Sequence, residues 1–282
     1  MTDRNLTNYH SHCSFCDGKA PMEDFVAEAL RQGFTSYGFS SHAPLPFPTR
    51  WTLEREDVEA YLAEAARLRE KYAGRIELYV GMEIDYLDEM SNPASPYFRS
   101  LPLDYRIGSV HLLKAPDGEI VDIDTGPEQF GRHVEEHFGG DLHGVVTDYF
   151  DKLIRMVETG GFDIVGHADK MSYNASCCEP GLTEQLWYEE KVREYFERIA
   201  HSGLIVEINT KMWSRAGVLF PHRRHFGLLK ELGIPVQVNS DAHRPESIGD
   251  GRDVALRALR EAGIREVMQL AGGRWKPVEI SV

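Results

Sequence analysis

The chain contains little cysteine, and its few cysteines do not form a complete zinc motif. Only 4 of its 282 residues are cysteine. Cys13 and Cys16 have the spacing of half a zinc knuckle or of a redox pair, but no second Cys-x-x-Cys follows to complete a structural zinc site. Reduced thiols or small packing residues are therefore the favoured interpretation of all four cysteines.

The chain also lacks long apolar runs and is short of positive charge. No segment is apolar for long enough to cross a bilayer, and residues 1–5 contain no apolar signal core. With 31 Lys and Arg against 45 Asp and Glu, the formal net charge is -14, which argues against a broad nucleic-acid surface because clustered cations hold phosphate backbones. We therefore expect a cytoplasmic protein with no membrane or nucleic-acid partner. A small anionic substrate stays compatible with this charge, because bound ions can set the sign of a pocket.

The chain does have a series of apolar, strand-like runs that end in residue types able to bind metals. One such histidine means little, because histidines that satisfy a hydrogen bond in a protein core are common. A series spread along the chain implies convergence, since the carboxyl ends of parallel barrel strands meet at one mouth. These runs end at or near His10, His12, His42, Glu83, His111, His167, Asp241 and His243.

Amphipathic segments alternate with these runs, and this alternation predicts a parallel α/β fold. About seven strands are counted, one fewer than in the common eight-stranded barrel. A distorted seven-stranded (βα)7 TIM-like barrel is therefore preferred over a doubly wound sheet, as one domain over residues 1–282. Helices are expected near residues 21–33, 58–72, 145–159, 184–201 and 252–261, and further strands at 36–41, 76–81, 105–110, 162–166, 204–208 and 235–239.

Residues 115–140 interrupt the alternation and are interpreted as an excursion that helps to cover the mouth. They include His133-Val134-Glu135-Glu136-His137, which fits the His-x-x-Glu-His pattern of inverzincin peptidases. That pattern needs a firm core helix, whereas these residues lie among glycines and polar neighbours, so a peptidase site is disfavoured. The other histidines, interpreted as surface or packing residues, are His143, His201, His222 and His225.

The residue types at the strand ends indicate a hydrolytic metal site. Residues i and i+2 of a strand face the same side, so His10 and His12 can bind one ion together, as can Asp241 and His243. Imidazole and carboxylate suit Zn, Mn or Fe, and a ligand set without thiolate is typical of catalysis rather than structure. Glu83 offers two oxygens that can bridge two ions. Burying so many of these groups without metals would cost desolvation and charge repulsion.

These motifs together resemble the polymerase and histidinol phosphatase (PHP) family, most closely its histidinol-phosphatase branch. The histidine and Asp-Ala-His motifs are shared by the broad family, whereas His-Ala-Pro-Leu-Pro and Glu-Ile-Asn-Thr point to the phosphatase branch. The resemblance extends over nearly the whole chain, through residues 10–12, 16–18, 41–46, 81–86, 104–111, 163–167, 206–210 and 240–243.

The resemblance implies a site for up to three divalent ions, Zn, Mn or Fe. Gly18 departs from it, because many histidinol phosphatases carry a histidine at that position, while Asp17 fits the broader family pattern. The implied ligands are His10, His12, Glu83 and Asp241 for the first ion, Glu83, His111 and His167 for the second, and Asp17, His42 and His243 for the third.

The resemblance also implies a phosphomonoesterase that hydrolyses L-histidinol phosphate to L-histidinol and phosphate in histidine biosynthesis. A hydroxide shared by two ions would attack the phosphorus in line with the leaving alkoxide, with Glu83, Asp241 and His243 as catalytic residues. Arg215 and Lys170 follow barrel strands and are predicted to contact the phosphate. The alternatives are a PHP-type phosphodiesterase or nuclease, a phosphatase of another small ester, and a non-catalytic metal-binding module.

Overall fold

Seven parallel strands form a ring in the computed structural model, which describes residues 5–281. Residues 1–4, part of the segment predicted to lack a signal core, and residue 282 lie outside the described part. The ring strands lie side by side in chain order. They are β1 (Thr7–Asn8), β2 (Ser36–Phe39), β3 (Glu77–Asp85), β4 (Tyr105–Ser109), β7 (Ile164–Val165), β8 (Ile205–Asn209) and β9 (Val236–Asn239), and two hairpins comprise β5 (Leu112–Lys114) with β6 (Ile120–Asp122) and β10 (Glu266–Ala271) with β11 (Arg274–Glu279).

The ring closes between β9 and β1 through a bridge rather than a full strand pair. Ser11 and Ala242 form an isolated parallel bridge, beside which the backbone N–H of His12 donates to the carbonyl of Ala242 over 2.8 Å. Asn239 adds to the closure, because its Oδ1 accepts from the backbone N–H of Tyr9 at 2.7 Å. The predicted distorted seven-stranded barrel is confirmed, and its closure brings residues 10–12 against residues 241–243.

The helices occupy the connections between the strands. The five predicted helices are present at residues 22–32, 58–71, 142–159, 186–202 and 252–261, whereas the helices of eight residues or fewer were not predicted because few turns give little periodicity. Among the described helices, none is both long and apolar enough to span a bilayer. The helices are α1 (Met22–Gln32), α2 (Val58–Lys71), α3 (Pro96–Ser100), α4 (Pro127–Phe138), α5 (Leu142–Thr159), α6 (Met171–Cys178), α7 (Leu186–Ser202), α8 (Trp213–Ala216), α9 (Phe226–Glu231) and α10 (Arg252–Glu261).

The segment 115–140 is more regular than the sequence indicated. The expectation that its His-x-x-Glu-His motif lacks a firm helix is wrong, since α4 spans the motif and buries Phe130 and Val134. The histidines make local contacts instead: His133 Nδ1 lies 2.9 Å from the carbonyl oxygen of Asp122, and His137 Nδ1 lies 3.1 Å from a carboxylate oxygen of Asp117. Within the described part of the chain, neither histidine belongs to a group that could hold a metal.

The antiparallel hairpin β10–β11 lies against the amino ends of the first ring strands. Ser36, the first residue of β2, donates its hydroxyl to the carbonyl of Leu270, and Glu77, the first residue of β3, accepts from the backbone N–H of Gly272. The hairpin was not predicted, because contacts with strand starts more than 190 residues away leave no local signal in its sequence. With this end covered, the carboxyl ends of the strands form the open mouth.

Tyr105 fills the barrel interior and depends on two glycines for its space. Its fully buried hydroxyl lies 2.6 Å from the carbonyl oxygen of Tyr9 and 2.8 Å from that of Phe39. A Cβ added at Gly38 would lie 2.5 Å from that hydroxyl, and one added at Gly81 would lie 2.7 Å from both the ring and the carbonyl oxygen of Tyr105. The absence of a side chain at these positions therefore lets the ring lie across the strands.

Gly81→Ala is expected to destabilise the protein by about 1–3 kcal/mol, because the added methyl group overlaps a buried ring and a backbone oxygen that cannot both retreat. Urea unfolding followed by circular dichroism measures this change. Gly227→Ala is the matched control, since a Cβ there meets no atom within 4 Å and alanine favours the helical conformation of α9 by up to about 1 kcal/mol. Equal unfolding midpoints for Gly81→Ala and the parent protein would contradict the steric argument.

Candidate metal centre

The nine side chains predicted as metal ligands lie together at the carboxyl ends of the strands. Most of them are buried, whereas Asp17 and His243 are partly exposed and line the opening of the site. The series of strand ends predicted the convergence of eight of them, and the family resemblance added Asp17. The nine are His10, His12, Asp17, His42, Glu83, His111, His167, Asp241 and His243.

Glu83 lies at the centre of this cluster. Its Oε1 is 2.8 Å from His167 Nε2 and 3.4 Å from His111 Nε2. Three further imidazole nitrogens lie near Oε2: His42 Nδ1 at 3.0 Å, His10 Nε2 at 3.1 Å and His12 Nε2 at 3.5 Å. The two oxygens thus face different sets of imidazoles, as expected of a carboxylate shared by two ions.

Two further carboxylates complete the cluster. Asp241 Oδ1 lies 3.2 Å from His12 Nε2, and Asp17 Oδ2 lies 3.2 Å from His243 Nε2. His42 links the two halves, because its Nδ1 faces Glu83 while its Nε2 lies 3.9 Å from Asp17 Oδ1.

The backbone at the site is less regular than the predicted extended strands. Because β1 ends at Asn8 and β9 at Asn239, the ligand candidates that follow them lie in loops. His10 and His12 still face the same side, with ring centroids 5.1 Å apart. The extended geometry assumed at residues 241–243 is wrong: Asp241 has a φ of 49°, and His243 Nδ1 folds back to within 3.0 Å of the carbonyl oxygen of Asp241.

Two buried carboxylates outside the cluster orient its imidazoles. Glu207 Oε1 lies 2.7 Å from His10 Nδ1, and Asp85 Oδ2 lies 3.0 Å from His111 Nδ1. A proton held on each Nδ1 leaves Nε2 free to face Glu83, which is the usual way that carboxylates fix histidine ligands. Neither carboxylate was predicted to have a role, although the i, i+2 spacing of Glu83 and Asp85 along β3 places both on one face.

Burial and neighbouring charges shift the pKa values within the cluster in both directions, and burial with His42 and His243 lowers the pKa of His12 well below its usual value. Burial opposes ionisation of Glu83, but the surrounding imidazoles outweigh it and hold the pKa of Glu83 well below its usual range. Burial likewise opposes ionisation of Asp241, whereas Lys211 and His10 lower its pKa well below the usual range. Burial would also lower the pKa of His10, yet Glu207 and Glu83 raise it well above the usual value. Glu83 and Asp241 are therefore ionised, which is the state that binds metal ions.

The donor atoms fit divalent metal ions. Ligand atoms about 2.0–2.2 Å from a common ion lie roughly 3–3.5 Å from one another, which matches the separations around Glu83. Buried atoms of the cluster without a hydrogen-bond partner in the described part of the chain are His10 Nε2, His12 Nε2, Asp17 Oδ1, His42 Nδ1 and Glu83 Oε2. Three groups have the spacing to hold an ion: His10, His12 and Glu83; His42, Glu83 and His111; and His12, Asp17, His42 and His243.

A cavity of about 570 Å³ opens in front of the cluster. This volume is typical of a pocket for a small molecule. Trp51, which was not among the predicted site residues, forms part of its wall and stands edge-on to His42 and His111, with ring centroids 4.8 and 5.7 Å away. The indole thus covers two of the candidate ligands on the side of the cavity.

Three basic side chains line the same cavity. Lys170 Nζ lies 2.5 Å from Asp124 Oδ2, so this predicted phosphate-binding residue is already paired. Arg215 is exposed and forms no ion pair within residues 5–281. Lys211 was missed, although it directly follows the Glu-Ile-Asn-Thr segment; its Nζ lies 3.1 Å from Asp241 Oδ1.

The chain is similar to known proteins over most of its length. The family model described as PHP domain matches residues 8–211. A Schizosaccharomyces pombe protein named "Probable histidinol-phosphatase" is 28% identical and aligns over 94% of this chain and 89% of its own length. A Deinococcus radiodurans protein of the same name is 26% identical over 93% of this chain and 95% of its own length.

A solved structure has the same fold. It is the histidinol phosphate phosphatase of Lactococcus lactis subsp. lactis, complexed with Zn, L-histidinol and phosphate. Its TM-score with this chain is 0.69 at 20% sequence identity, covering 96% of this chain and 98% of the other. At that identity the likeness shows the fold alone.

Proposed function

Because the chain belongs to the PHP domain family, we propose that it is a metal-dependent phosphatase that converts L-histidinol phosphate to L-histidinol and inorganic phosphate. The observation that carries this proposal is the convergence of nine imidazole and carboxylate side chains beside a cavity sized for a small molecule. The choice of substrate is supported by relatives named for it and by the complex of the Lactococcus enzyme. The same proposal includes a cytoplasmic location, a role in histidine biosynthesis and a single domain over residues 1–282.

The nine side chains are proposed to hold up to three divalent ions of Zn, Mn or Fe. When bound, such ions lower the pKa of water and neutralise charge on phosphoryl oxygens. Histidine with carboxylate suits all three metals, and the Lactococcus structure contains Zn. The proposed sets are His10, His12, Glu83 and Asp241; Glu83, His111 and His167; and Asp17, His42 and His243.

The chain's own residues position the reacting groups. The hydroxyl of Ser109 donates to Glu83 Oε1 over 2.7 Å and so fixes the shared carboxylate. Asp241, kept ionised by Lys211 and His10, is proposed to accept the proton that the attacking water loses. His243 lines the cavity and would act there as a ligand, because its Nε2 faces Asp17 Oδ2 at 3.2 Å while its Nδ1 faces the carbonyl oxygen of Asp241. Trp51 limits the access of bulk water to the ligands that it covers.

Arg215→Gln is expected to lower kcat/KM for L-histidinol phosphate by roughly 10–100-fold, mainly through KM, because one hydrogen bond to a charged group contributes about 1.5–3 kcal/mol. Arg215 is chosen over Lys170 because Asp124 already pairs with Lys170. Steady-state kinetics of phosphate release measure the effect. Arg257→Gln, a change at an exposed position of α10, serves as the control. A kcat/KM within twofold of the parent for Arg215→Gln would remove the phosphate contact from the proposal.

A panel of phosphate esters tests the function itself. The metal-loaded protein is assayed with L-histidinol phosphate, other monoesters and bis(4-nitrophenyl) phosphate, each with Zn, Mn or Fe. We expect L-histidinol phosphate to give the highest kcat/KM and chelation by EDTA to abolish turnover. Preference for the diester would support a PHP-type phosphodiesterase or nuclease, and preference for another monoester would change the substrate. Metal binding without turnover would indicate a non-catalytic module.

A further inference from the structure

A second, smaller cavity is separated from the first by the beginning of α6. This rear pocket has a volume of about 190 Å³. Residues 170–176 build the wall between the two cavities: Lys170 and Asn174 line the front cavity, Ser172 and Ser176 line the rear pocket, and Tyr173 lines both. The remaining wall of the rear pocket includes Asp169, Thr183, Tyr188, His222, Arg224 and His225.

Asp169 presents an unpartnered carboxylate oxygen to the rear pocket. The side chain is 1% exposed, and its Oδ2 accepts from the backbone N–H of His222 over 2.9 Å. Its Oδ1 has no hydrogen-bond partner in the described part of the chain, nor has the buried hydroxyl of Tyr188. A buried carboxylate oxygen without a donor is costly, and burial accordingly raises the pKa of Asp169 to about 7. The rear pocket can therefore hold a hydrogen-bond donor, which would satisfy Asp169 Oδ1.

The basic residues around the rear pocket do not supply this donor. His225 Nε2 is 3.9 Å from Asp169 Oδ2, and burial together with the nearby Arg224 lowers the pKa of His225 to about 3, so this imidazole is neutral. Arg224 directs its guanidinium elsewhere: it donates to the carbonyl and hydroxyl oxygens of Thr183 at 2.8 and 2.9 Å and to His222 Nδ1 at 3.2 Å. Asp169 Oδ1 is thus available to a ligand.

We propose that the rear pocket binds a small nitrogen cation, a protonated amine or an imidazolium, with Asp169 Oδ1 as its principal acceptor. A water molecule takes up about 30 Å³ of liquid, so the volume suits one ring or a short amine. The hydroxyls of Ser172 and Tyr188 provide further acceptors. The cation is either a free amine from solution or the nitrogen-bearing end of the substrate reaching past Tyr173, and the second case rests on the proposed function.

Thermal unfolding of the metal-loaded protein tests the binding. Methylammonium chloride is compared with sodium chloride at equal ionic strength, because protonated methylamine has no lone pair for the metal centre. Ligands that bind only the folded state raise Tm. We expect methylammonium to raise Tm more than sodium does, and Asp169→Asn to remove this difference. Asp148→Asn makes the same chemical change at an exposed position of α5 and is expected to retain it.

Two outcomes would overturn the proposal. Equal effects of methylammonium and sodium on the parent protein would mean that the rear pocket holds water only. A difference that persists in Asp169→Asn would place the amine elsewhere. If Asp169→Asn does not fold, Tyr188→Phe takes its place, since it removes only a hydroxyl, and it is expected to reduce the difference.

A kinetic comparison identifies the source of the cation. Two substrates are compared: L-histidinol phosphate and 4-nitrophenyl phosphate, which carries no nitrogen cation. The ratio of their kcat/KM values is measured for the parent and for Asp169→Asn. A fall of at least tenfold in this ratio assigns the rear pocket to the substrate, because a purely structural defect would lower both values alike. An unchanged ratio, with the methylammonium effect present, assigns it to a free amine. Failure of the parent to hydrolyse L-histidinol phosphate would reject the proposed function and leave the methylammonium result valid.

Discussion

Glu83→Gln is expected to lower kcat/KM for L-histidinol phosphate by at least about 10³-fold, more than the 10–100-fold typical of residues that only orient a ligand. The amide keeps the size of the side chain but replaces one of two anionic oxygens with an NH₂ group. That group cannot bind a cation and would donate to the imidazole nitrogens that lie 2.8–3.5 Å from the carboxylate. Phosphate release and metal content by mass spectrometry measure the two consequences, lost turnover and lost ions.

Glu136→Gln is the matched control for this variant. Glu136 is exposed on α4 and is the glutamate of the His-x-x-Glu-His motif, so it also tests the peptidase interpretation. We expect its turnover and metal content to equal those of the parent, and the same for His133→Ala. Near-normal turnover of Glu83→Gln at full metal content would remove the bridging carboxylate from the mechanism. Inactive Glu136→Gln and His133→Ala variants would instead support the peptidase interpretation of the motif on α4.

Eight of the nine ligand candidates could be found in the sequence because their position at or near a strand end is a local property, whereas Asp17 was identified only through the family resemblance. His111 and His167 each come directly after an apolar run, and parallel strands in a barrel bring such positions together without further information. Glu83 was found in the same way, although β3 continues to Asp85. The order and number of the ring strands followed from the same alternation of strands and helices.

The parts that were not predicted depend on contacts between distant segments. Glu207 reaches His10 across 197 residues of sequence, and no spacing rule distinguishes it from other glutamates. The helix α4 was missed because the glycines near it were interpreted as breakers, whereas burial of Phe130 and Val134 stabilises it. The sequence around Asp169 is that of an ordinary loop residue, and its burial depends on distant segments such as that of His222, whose backbone N–H donates to it from 53 positions away.

Glu207 is the residue outside the metal cluster whose replacement should have the largest effect. Each of its oxygens accepts two hydrogen bonds. Oε1 accepts from His10 Nδ1 at 2.7 Å and Asn239 Nδ2 at 2.9 Å, while Oε2 accepts from the backbone N–H of His167 at 2.8 Å and from Asn209 Nδ2 at 2.9 Å. One fully buried carboxylate thus holds β8, β9 and the residues after β1 and β7 in register with the site.

Glu207→Gln is expected to weaken metal binding by about 10–100-fold and to lower the free energy of unfolding by about 1–3 kcal/mol. Whichever way the amide turns, its NH₂ group faces two donors, either those of His10 and Asn239 or those of His167 and Asn209. If it faces His10, the imidazole loses the acceptor that keeps its proton on Nδ1, and Nε2 is no longer held as a free lone pair towards Glu83.

Metal titration by calorimetry and urea unfolding of the metal-free protein separate these two effects. Glu197→Gln, on the exposed face of α7, controls for the loss of one negative charge and is expected to change neither. A variant Glu207→Gln with normal metal affinity and reduced stability would mean that Glu207 only ties the strands together. Reduced affinity in a protein of normal stability would mean that the tautomer of His10 is what this carboxylate determines. We expect both quantities to fall, because the same four hydrogen bonds support the ring and the ligand.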